Sequence, residues 1–206
     1  MSKIVLATRN KGKIKEIKEL LSTLCPELEV LGLDSFPNIG EIPETGNTFE
    51  ENALQKARTV CELTGLISLA DDSGLVVPAI GGEPGVYSAR YSGPDATDEK
   101  NNAKLLAKMQ NLAEPERYAY FACVMAVCAP DGQTLVAHGK WEGKIAFQPK
   151  GEHGFGYDPI FIDKESGRHA AEMTREEKNK ISHRAKALKE LLKKWTNFYK
   201  KIKNKS

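Results

Sequence analysis

The sequence predicts an α/β fold in which a mixed β-sheet carries helices on both sides. Two observations favour this class. In the first half, short apolar runs alternate with stretches of helical apolar spacing, in the order strand, helix, strand, helix, strand. In the second half, residues 118–129 and 133–147 flank the Asp131-Gly132 pair, which is typical of a β-hairpin turn. The simplest architecture is one sheet in two lobes around a cleft.

Composition excludes several other classes of protein. The 206 residues are 40% hydrophobic and 28% charged, with a net charge of +2, so we expect one globular domain over residues 1–206. No apolar run approaches the ~20 residues that span a bilayer. Residues 1–10 lack a signal-peptide core, so we expect a cytoplasmic protein. The four cysteines lack zinc-site spacing and are expected to be buried thiols; they are Cys25, Cys61, Cys123 and Cys128.

Three strands and two helices are predicted in the first half. The strands cover residues 3–7, 29–33 and 67–70, and the third runs into the turn-like Asp71-Asp72-Ser73-Gly74. The first helix ends at Cys25-Pro26, and its apolar face is Ile14, Ile17, Leu20, Leu21 and Leu24. Thr48 and Glu51 have capping-box spacing and predict the start of the second helix, which ends at Gly65.

The second half is predicted to contain a Gly- and Pro-rich loop, three more strands and further helices. The loop covers residues 78–94, a helix covers 98–109, and a strand covers 159–163 after the hairpin. Thr174 and Glu177 form another capping box. The last helix has apolar positions at 3.6-residue spacing: Leu188, Leu191, Leu192, Trp195, Phe198 and Ile202.

A polar turn between the first strand and the first helix is the first candidate site. It consists of Thr8, Arg9, Asn10, Lys11, Gly12 and Lys13. Backbone N–H groups at a helix start, together with cations and hydroxyl and amide groups, suit an oligophosphate. The turn lacks the glycine and Ser/Thr positions of a Walker A loop. A solvated polar turn explains the same residues equally well.

Carboxylates near the third strand form the second candidate site. Asp71 and Asp72 follow an apolar strand at its carboxyl end, where ligands of α/β sheets bind. Successive side chains point to opposite faces, so one of the two is expected to face a given cleft. Such a carboxylate could hold Mg²⁺ or accept a proton from water, and Glu44 could be a second oxygen ligand. The alternatives are a capped turn and a solvated loop glutamate. Lys56 and Arg90 are weaker candidates for contacting phosphates.

Two later segments could bind a flat ligand. Gly154 and Gly156 flank Phe155, whose ring offers a stacking face, within the run Phe155, Gly156, Tyr157 and Asp158. A buried aromatic residue in a tight turn is the alternative. Near the C-terminus, Lys178, His183 and Arg184 offer N–H donors to an oxo group or phosphate, or else form a polar helix face.

Together these segments resemble the inosine-triphosphate pyrophosphatase family. Six motifs occur in that family's order: Thr8-x-Asn10-x-x-Lys13, Glu44-Thr-Gly-x-Thr-Phe49, Ala70-Asp-Asp-Ser-Gly-Leu75, Pro84-Gly-Val-Tyr-Ser-Ala-Arg90, Phe155-Gly-Tyr-Asp158 and Ser182-His-Arg184. The resemblance implies an elongated mixed sheet with helices around a central active-site cleft. It also implies a homodimer. The low net charge and the lack of a membrane-spanning apolar run lead us to expect no membrane association and no stable nucleic-acid partner.

The same resemblance implies a reaction and a role for each motif. The family cleaves non-canonical purine nucleoside triphosphates (ITP, dITP, XTP) with Mg²⁺ into a monophosphate and pyrophosphate, which keeps them out of DNA and RNA. By motif, Asp72 would be proton acceptor and metal ligand, and Glu44 the second metal ligand. Substrate would contact residues 8–13, Ser73, residues 155–158, Lys178, His183 and Arg184.

Two other functions remain open at the level of sequence. A related pyrophosphatase for modified pyrimidine nucleotides would differ in its substrates. A nucleic-acid-binding module would use the lysines of residues 193–205, although the near-neutral net charge and the acidic motifs argue against that function.

Overall fold

Six strands form one mixed sheet in the computed structural model, which describes residues 2–24 and 28–203. Their order across the sheet is β2-β1-β3-β4-β5-β6. β1 is parallel to β2 and β3, whereas β6 is antiparallel to β5. The strands are β1 (Ser2–Leu6), β2 (Leu28–Gly32), β3 (Ile67–Val76), β4 (Tyr118–Cys128), β5 (Thr134–Ile145) and β6 (Phe161–Asp163). The predicted mixed α/β sheet is therefore confirmed.

Five α-helices accompany the sheet within the described ranges. They are α1 (Lys11–Leu24), α2 (Phe49–Thr64), α3 (Asp98–Lys108), α4 (Arg175–Ile181) and α5 (His183–Lys203). The starts of α2, α3 and α4 and the ends of α2 and α3 lie close to the predicted ones, whereas α1 begins at Lys11, inside the predicted polar turn of residues 8–13. The predicted stop of α1 at Cys25-Pro26 lies outside the described residues. No helix in the described part of the chain is both long and apolar enough to cross a membrane.

Two predicted strand boundaries are wrong. The strand predicted over residues 159–163 begins only at Phe161, because residues 158–160 form a 3-10 turn. The sequence places a turn at Asp71-Asp72-Ser73-Gly74, but β3 continues through these residues to Val76. The strand continues because Leu75 is fully buried in an apolar cluster and its backbone N–H donates to Ser88 Oγ at 2.9 Å. Two carboxylates are thereby fixed within a strand instead of a mobile turn.

The chain divides into two compact units. Unit 1 comprises Met1–Asp72, Cys123–Gly139 and Arg184–Ser206, and unit 2 comprises Ser73–Ala122 and Lys140–His183. Unit 2 is built on a core that includes Trp141, Phe161 and Leu105.

Unit 1 has an apolar core on each side of its strands. Ile4 and Leu6 of β1 pack with the apolar residues of α1 and α5, and we call this side the α1/α5 face. Val5 and Ala7 pack with α2 on the opposite side, the α2 face. Alternation along the strand produces this division, since successive side chains point to opposite faces.

Candidate active site

The alternation of β3 separates its two neighbouring carboxylates. Leu69 belongs to the core of the α1/α5 face, and Ala70 belongs to the core of the α2 face. Continuing that alternation places Asp71 on the α1/α5 face and Asp72 on the α2 face. Their contacts agree with this placement, so the expected opposite orientation of the two carboxylates is observed.

Asp71 belongs to a buried ion network. Its Oδ2 lies 3.0 Å from Lys13 Nζ and 3.3 Å from Arg184 Nε, and Arg184 Nη1 pairs with Glu16 of α1. Burial alone would raise the pKa of Asp71, but Lys13 and Arg184 outweigh burial and hold that pKa below its usual range. Burial likewise opposes the charge of Arg184, yet Glu16 and Asp71 raise its pKa. The network therefore joins two acidic and two basic side chains.

Asp72 has a different set of partners on the α2 face. Its Oδ1 accepts from Lys56 Nζ at 3.3 Å, and its Oδ2 accepts from Asn52 Nδ2 at 3.1 Å. Lys56 also donates to Glu44 Oε1 at 2.6 Å, so Glu44 and Asp72 form a carboxylate pair around one ammonium group. Asn52 and Lys56 lie one turn apart on α2, which places both on the same side of that helix.

The pKa values of Asp72 and Lys56 reflect both burial and charge. Burial is the largest influence on Asp72 and raises its pKa; Lys56 and Lys13 oppose the rise without reversing it, and Glu44 adds to it. Burial would lower the pKa of Lys56, but Asp72, Asp71 and Glu44 together raise it. At neutral pH, Lys56 is therefore an ammonium cation shared between two acids.

A close backbone approach explains the Glu44-Thr-Gly motif. Gly46 N donates to Asn52 Oδ1 at 2.8 Å, and a Cβ at Gly46 would lie 2.6 Å from Glu51 Cβ. Only glycine fits there, and it holds the Glu44 loop against the start of α2. Thr48 Oγ1 caps α2 by accepting from Glu51 N at 3.1 Å, as predicted. The Glu51 carboxylate, however, accepts from Asn47 N and not from Thr48 N, so the capping box is displaced by one residue.

The amino-terminal turn is ordered by its own side chains. Thr8 Oγ1 accepts from Asn10 N at 3.2 Å, and Asn10 Oδ1 accepts from Lys13 N at 3.1 Å, which caps the start of α1. Arg9 donates to the Ile39 carbonyl. Of the predicted phosphate ligands, Arg9, Asn10 and Lys11 are exposed, whereas the Lys13 ammonium is directed toward Asp71.

In unit 2, a ring loop is formed by residues 155–158. Asp158 is buried; its carboxylate accepts from Phe155 N at 2.9 Å and pairs with Lys178 of α4. Lys178 Nζ also lies 4.9 Å from the centroid of the Phe155 ring, a cation–π contact. Gly154 has a φ of +82°, and a Cβ there would lie 2.0 Å from Asp158 Oδ2, so the loop requires glycine.

Polar contacts from α3 and the Gly85–Arg90 turn hold the ring loop. Gly156 N donates to Asp98 Oδ2 at 2.6 Å, and Gly156 O accepts from Asn102 Nδ2 at 3.1 Å. The Tyr157 hydroxyl donates to Ser88 O at 2.8 Å, and burial raises the pKa of this tyrosine. These contacts fix the backbone on both sides of the Phe155 ring.

His183 and Ser73 also belong to unit 2. The His183 ring stacks on Phe121 with centroids 4.8 Å apart and an interplanar angle of 13°. It also lies nearly parallel to Trp141 at 6.3 Å. Packing against these two aromatic rings orients the His183 imidazole. Ser73 is half-buried on β3.

Comparison with known proteins now identifies the family. Residues 4–194 match the family model described as the Ham1 family. The chain belongs to the Ham1 family. A dITP/XTP pyrophosphatase of Nitratidesulfovibrio vulgaris is 55% identical over 95% of this chain and 97% of its own length. A dITP/XTP pyrophosphatase of Streptococcus pyogenes is 53% identical over 92% of this chain, which spans only 57% of that longer protein.

A solved structure confirms the fold of this Ham1 family chain. The structure of a HAM1 protein from Coxiella burnetii matches with a TM-score of 0.87 and 44% identity, covering 96% of this chain and 100% of that one. The family resemblance found in the motifs is thus confirmed over most of the chain.

The Ham1 fold places an oxygen donor set suited to Mg²⁺ on the α2 face. Within residues 2–24 and 28–203, no group of three or more His, Cys, Asp or Glu is arranged to hold a metal ion. Mg²⁺ in nucleotide sites, however, is usually held by one or two carboxylates together with substrate phosphates and water. Glu44 and Asp72 already converge on one cation, Lys56, and therefore fit this requirement.

Sequence reasoning missed several partners of the site in this Ham1 chain. Glu16, Asn52, Asp98 and Asn102 were not predicted, and Lys56 was considered a weak candidate. A signal for Glu16 exists, because it lies four residues before Leu20 on the apolar side of α1. Arg90, considered for phosphate contact, has its guanidinium 5.2 Å from the centroid of the Tyr87 ring in unit 2.

Proposed function

We propose that this Ham1 family protein hydrolyses non-canonical purine nucleoside triphosphates, namely ITP, dITP and XTP, to the monophosphate and pyrophosphate. The reaction would keep these nucleotides out of DNA and RNA. The observation that carries the proposal is the carboxylate pair Glu44 and Asp72, which shares one ammonium group on the α2 face. The names of its curated relatives support the same activity.

The phosphate chain is assigned to unit 1. Residues 8–13 supply a helix start and cations for the phosphate oxygens, and Lys56 supplies a further cation. Mg²⁺, held by Glu44 and Asp72, would neutralise negative charge on those oxygens when bound. Asp72 orients a water toward the α-phosphorus and accepts its proton, since burial and Glu44 make it more basic than an ordinary aspartate. Asn52 donates to Oδ2 and Lys56 to Oδ1, and these two contacts orient the carboxylate.

The purine is assigned to the ring loop of unit 2. Phe155 provides the stacking face, and residues 156–158 support it. Contacts to the base or the phosphates are assigned to Lys178, His183 and Arg184. Arg184 would make its contact from within the buried ion network. Ser73 is assigned to substrate contact. Hypoxanthine and xanthine carry a 6-oxo acceptor where adenine carries an amino donor. A donor-lined pocket therefore disfavours adenine, and mismatched buried hydrogen bonds discriminate by roughly 10⁴ or more.

Product identification tests the reaction class. We expect incubation with ITP and Mg²⁺ to release pyrophosphate and IMP, and release of orthophosphate would refute the reaction. Chelation of the divalent cation should stop turnover, and added Mg²⁺ should restore it. A panel of dITP, XTP, dATP, dGTP and modified pyrimidine triphosphates separates purine house-cleaning from the pyrimidine alternative.

We also propose that the protein acts as a homodimer in the cytoplasm, as the family resemblance implies. Sedimentation equilibrium should give about twice the 22.7 kDa of one chain. A single-chain mass at micromolar concentration would contradict the dimer.

A further inference from the structure

The charge of this chain is strongly segregated. α1 carries four lysines against two glutamates, and α5 carries seven lysines and Arg184 against one glutamate. These 35 residues therefore have a net charge of +9. Because the whole chain is only +2, the remaining residues sum to −7. The near-neutral total conceals a basic region and an acidic remainder.

Most of this positive charge lies at the surface. Nine exposed lysines form what we call the basic face: Lys11, Lys15, Lys18, Lys186, Lys189, Lys193, Lys194, Lys200 and Lys201. The acidic residues of the two helices offset little of it. Glu16 is buried in the ion network, Glu19 is half-buried, and Glu190 lies 3.2 Å from Lys193 Nζ.

The two helices form one surface. α1 and α5 both pack on the α1/α5 face of unit 1, and the Glu16–Arg184 pair joins them. Lys200 lies fourteen positions after Lys186, which corresponds to about 21 Å along the helix axis. The basic face is therefore long enough to follow several phosphates of a polyanion.

We propose that the basic face binds the phosphate backbone of double-stranded nucleic acid, weakly and without sequence preference. Surface lysines mainly neutralise phosphates, and the described residues of α1 and α5 include no exposed arginine or exposed aromatic side chain that would favour reading or stacking of bases. The exposed Thr196 and Asn197 of α5 add hydrogen-bonding groups between the lysines. Such contacts would hold the enzyme near the polymer that its activity protects, although the contact does not depend on that activity.

Two other polyanionic surfaces fit less well. A membrane-surface helix inserts apolar side chains, but Leu188, Leu191 and Phe198 of α5 are buried in the core. Single strands stack their bases on exposed aromatic rings. Trp195 is buried, and Tyr199 is partly buried and stacked on it. Charge without an accessible apolar or aromatic surface favours a duplex backbone.

A charge-matched pair of variants tests the proposal. The first variant changes Lys193, Lys194, Lys200 and Lys201 to Gln. The control changes the exposed unit 2 lysines Lys100, Lys108, Lys150 and Lys164 to Gln. Both proteins lose four positive charges and have the same net charge, so only the position of the lost charge differs.

Binding of a labelled 20-base-pair duplex is measured by fluorescence anisotropy between 50 and 200 mM NaCl. With at least about four phosphate contacts, the unaltered protein should show a log–log salt slope of about −4 or steeper. The basic-face variant should flatten the slope by about 3 to 4. The control should keep the slope and bind within about twofold of the unaltered protein.

Other outcomes overturn the proposal. These are equal losses in both variants, absence of a salt-dependent slope, tighter binding of a single strand than of a duplex, and binding to phosphatidylserine vesicles without duplex binding. ITP turnover and circular dichroism check that the variants fold. A Lys193→Gln/Lys200→Gln double variant, expected to flatten the slope by about 2, provides the test if the fourfold variant is unstable.

Discussion

Asp71 and Asp72 are neighbours in the chain, yet they lie on opposite faces of β3 and meet different partners. On the α1/α5 face, Asp71 lies between the cations Lys13 and Arg184, and its pKa is lowered despite complete burial. On the α2 face, Asp72 shares the Lys56 ammonium with a second acid, Glu44, and its pKa is raised. Burial raises the pKa of both carboxyl groups, and only at Asp71 do the neighbouring cations outweigh it.

The balance of charge around each carboxylate explains the difference. At Asp71, the cations Lys13 and Arg184 outweigh the effect of burial on the pKa. At Asp72, burial is the largest influence, and the attraction of nearby cations leaves the pKa raised. A carboxyl group with a raised pKa accepts a proton more readily, and perturbed pKa values are typical of catalytic sites. This contrast supports the proposal that Asp72 is the reactive carboxylate and that Asp71 has a structural role.

The largest expected effect is on stability, from Asp71→Asn. Asn removes the charge that faces Lys13 and Arg184, and breaking a buried ion pair typically costs about 3–5 kcal/mol. Urea unfolding monitored by circular dichroism measures this loss. Asp95→Asn, at an exposed position of unit 2, should change the free energy of unfolding by less than about 0.5 kcal/mol. A loss below about 1 kcal/mol for Asp71→Asn would show that the network is not structural.

For Asp72→Asn we expect a large loss of activity and a small change in stability. Turnover of ITP should fall at least ~10²-fold, the low end for loss of a general base. The free energy of unfolding should change by less than about 1 kcal/mol, since Asn removes a carboxylate that burial already disfavours. Initial rates of pyrophosphate release and urea unfolding are measured on the same samples. Unchanged turnover would remove Asp72 from the mechanism.

The sequence predicted the fold well because apolar periodicity is a local property. β1, α2 and the β4–β5 hairpin follow from a short apolar run, a capping threonine and an Asp-Gly turn. The end of β3 did not follow, because Asp-Asp-Ser-Gly has the composition of a turn. Only the burial of Leu75 among distant residues, together with the Ser88 hydroxyl, keeps that segment extended.

Candidate residues for the site could be proposed from the sequence, but their partners could not. Asp72 was a candidate because it follows an apolar strand, whereas Glu44 is assigned to the metal only by the family resemblance. The Glu16–Arg184 pair, in contrast, joins residues 168 positions apart. Tertiary packing decides which acid pairs with which cation, so the proposal of different roles for Asp71 and Asp72 required the structure.

Phe155→Ala tests whether binding of the purine by the ring loop is independent of the carboxylates of β3. Loss of the stacking face should raise KM for ITP by roughly 10-fold, since stacking of a base on an aromatic ring is worth about 1–3 kcal/mol. The kcat value should change little, because neither face of β3 is altered. Phe147→Ala is the matched control, as that ring is 61% exposed in unit 2 and lies outside the ring loop. A fall in kcat with unchanged KM would contradict the assignment of the purine to Phe155.

The smallest expected effect comes from removing the capping threonine of α2, the helix that carries the partners of Asp72. Thr48 and Thr97 cap α2 and α3 in the same way, each accepting from the backbone N–H three residues later at 3.1 and 3.2 Å. Thr→Ala should cost about 1 kcal/mol of unfolding free energy at either position. Only α2 carries Asn52 and Lys56, so only Thr48→Ala should reduce kcat, by up to about fivefold if the full cost reaches the transition state. Equal reductions of kcat in both variants would show that activity follows overall stability and not the positions of Asn52 and Lys56 around Asp72.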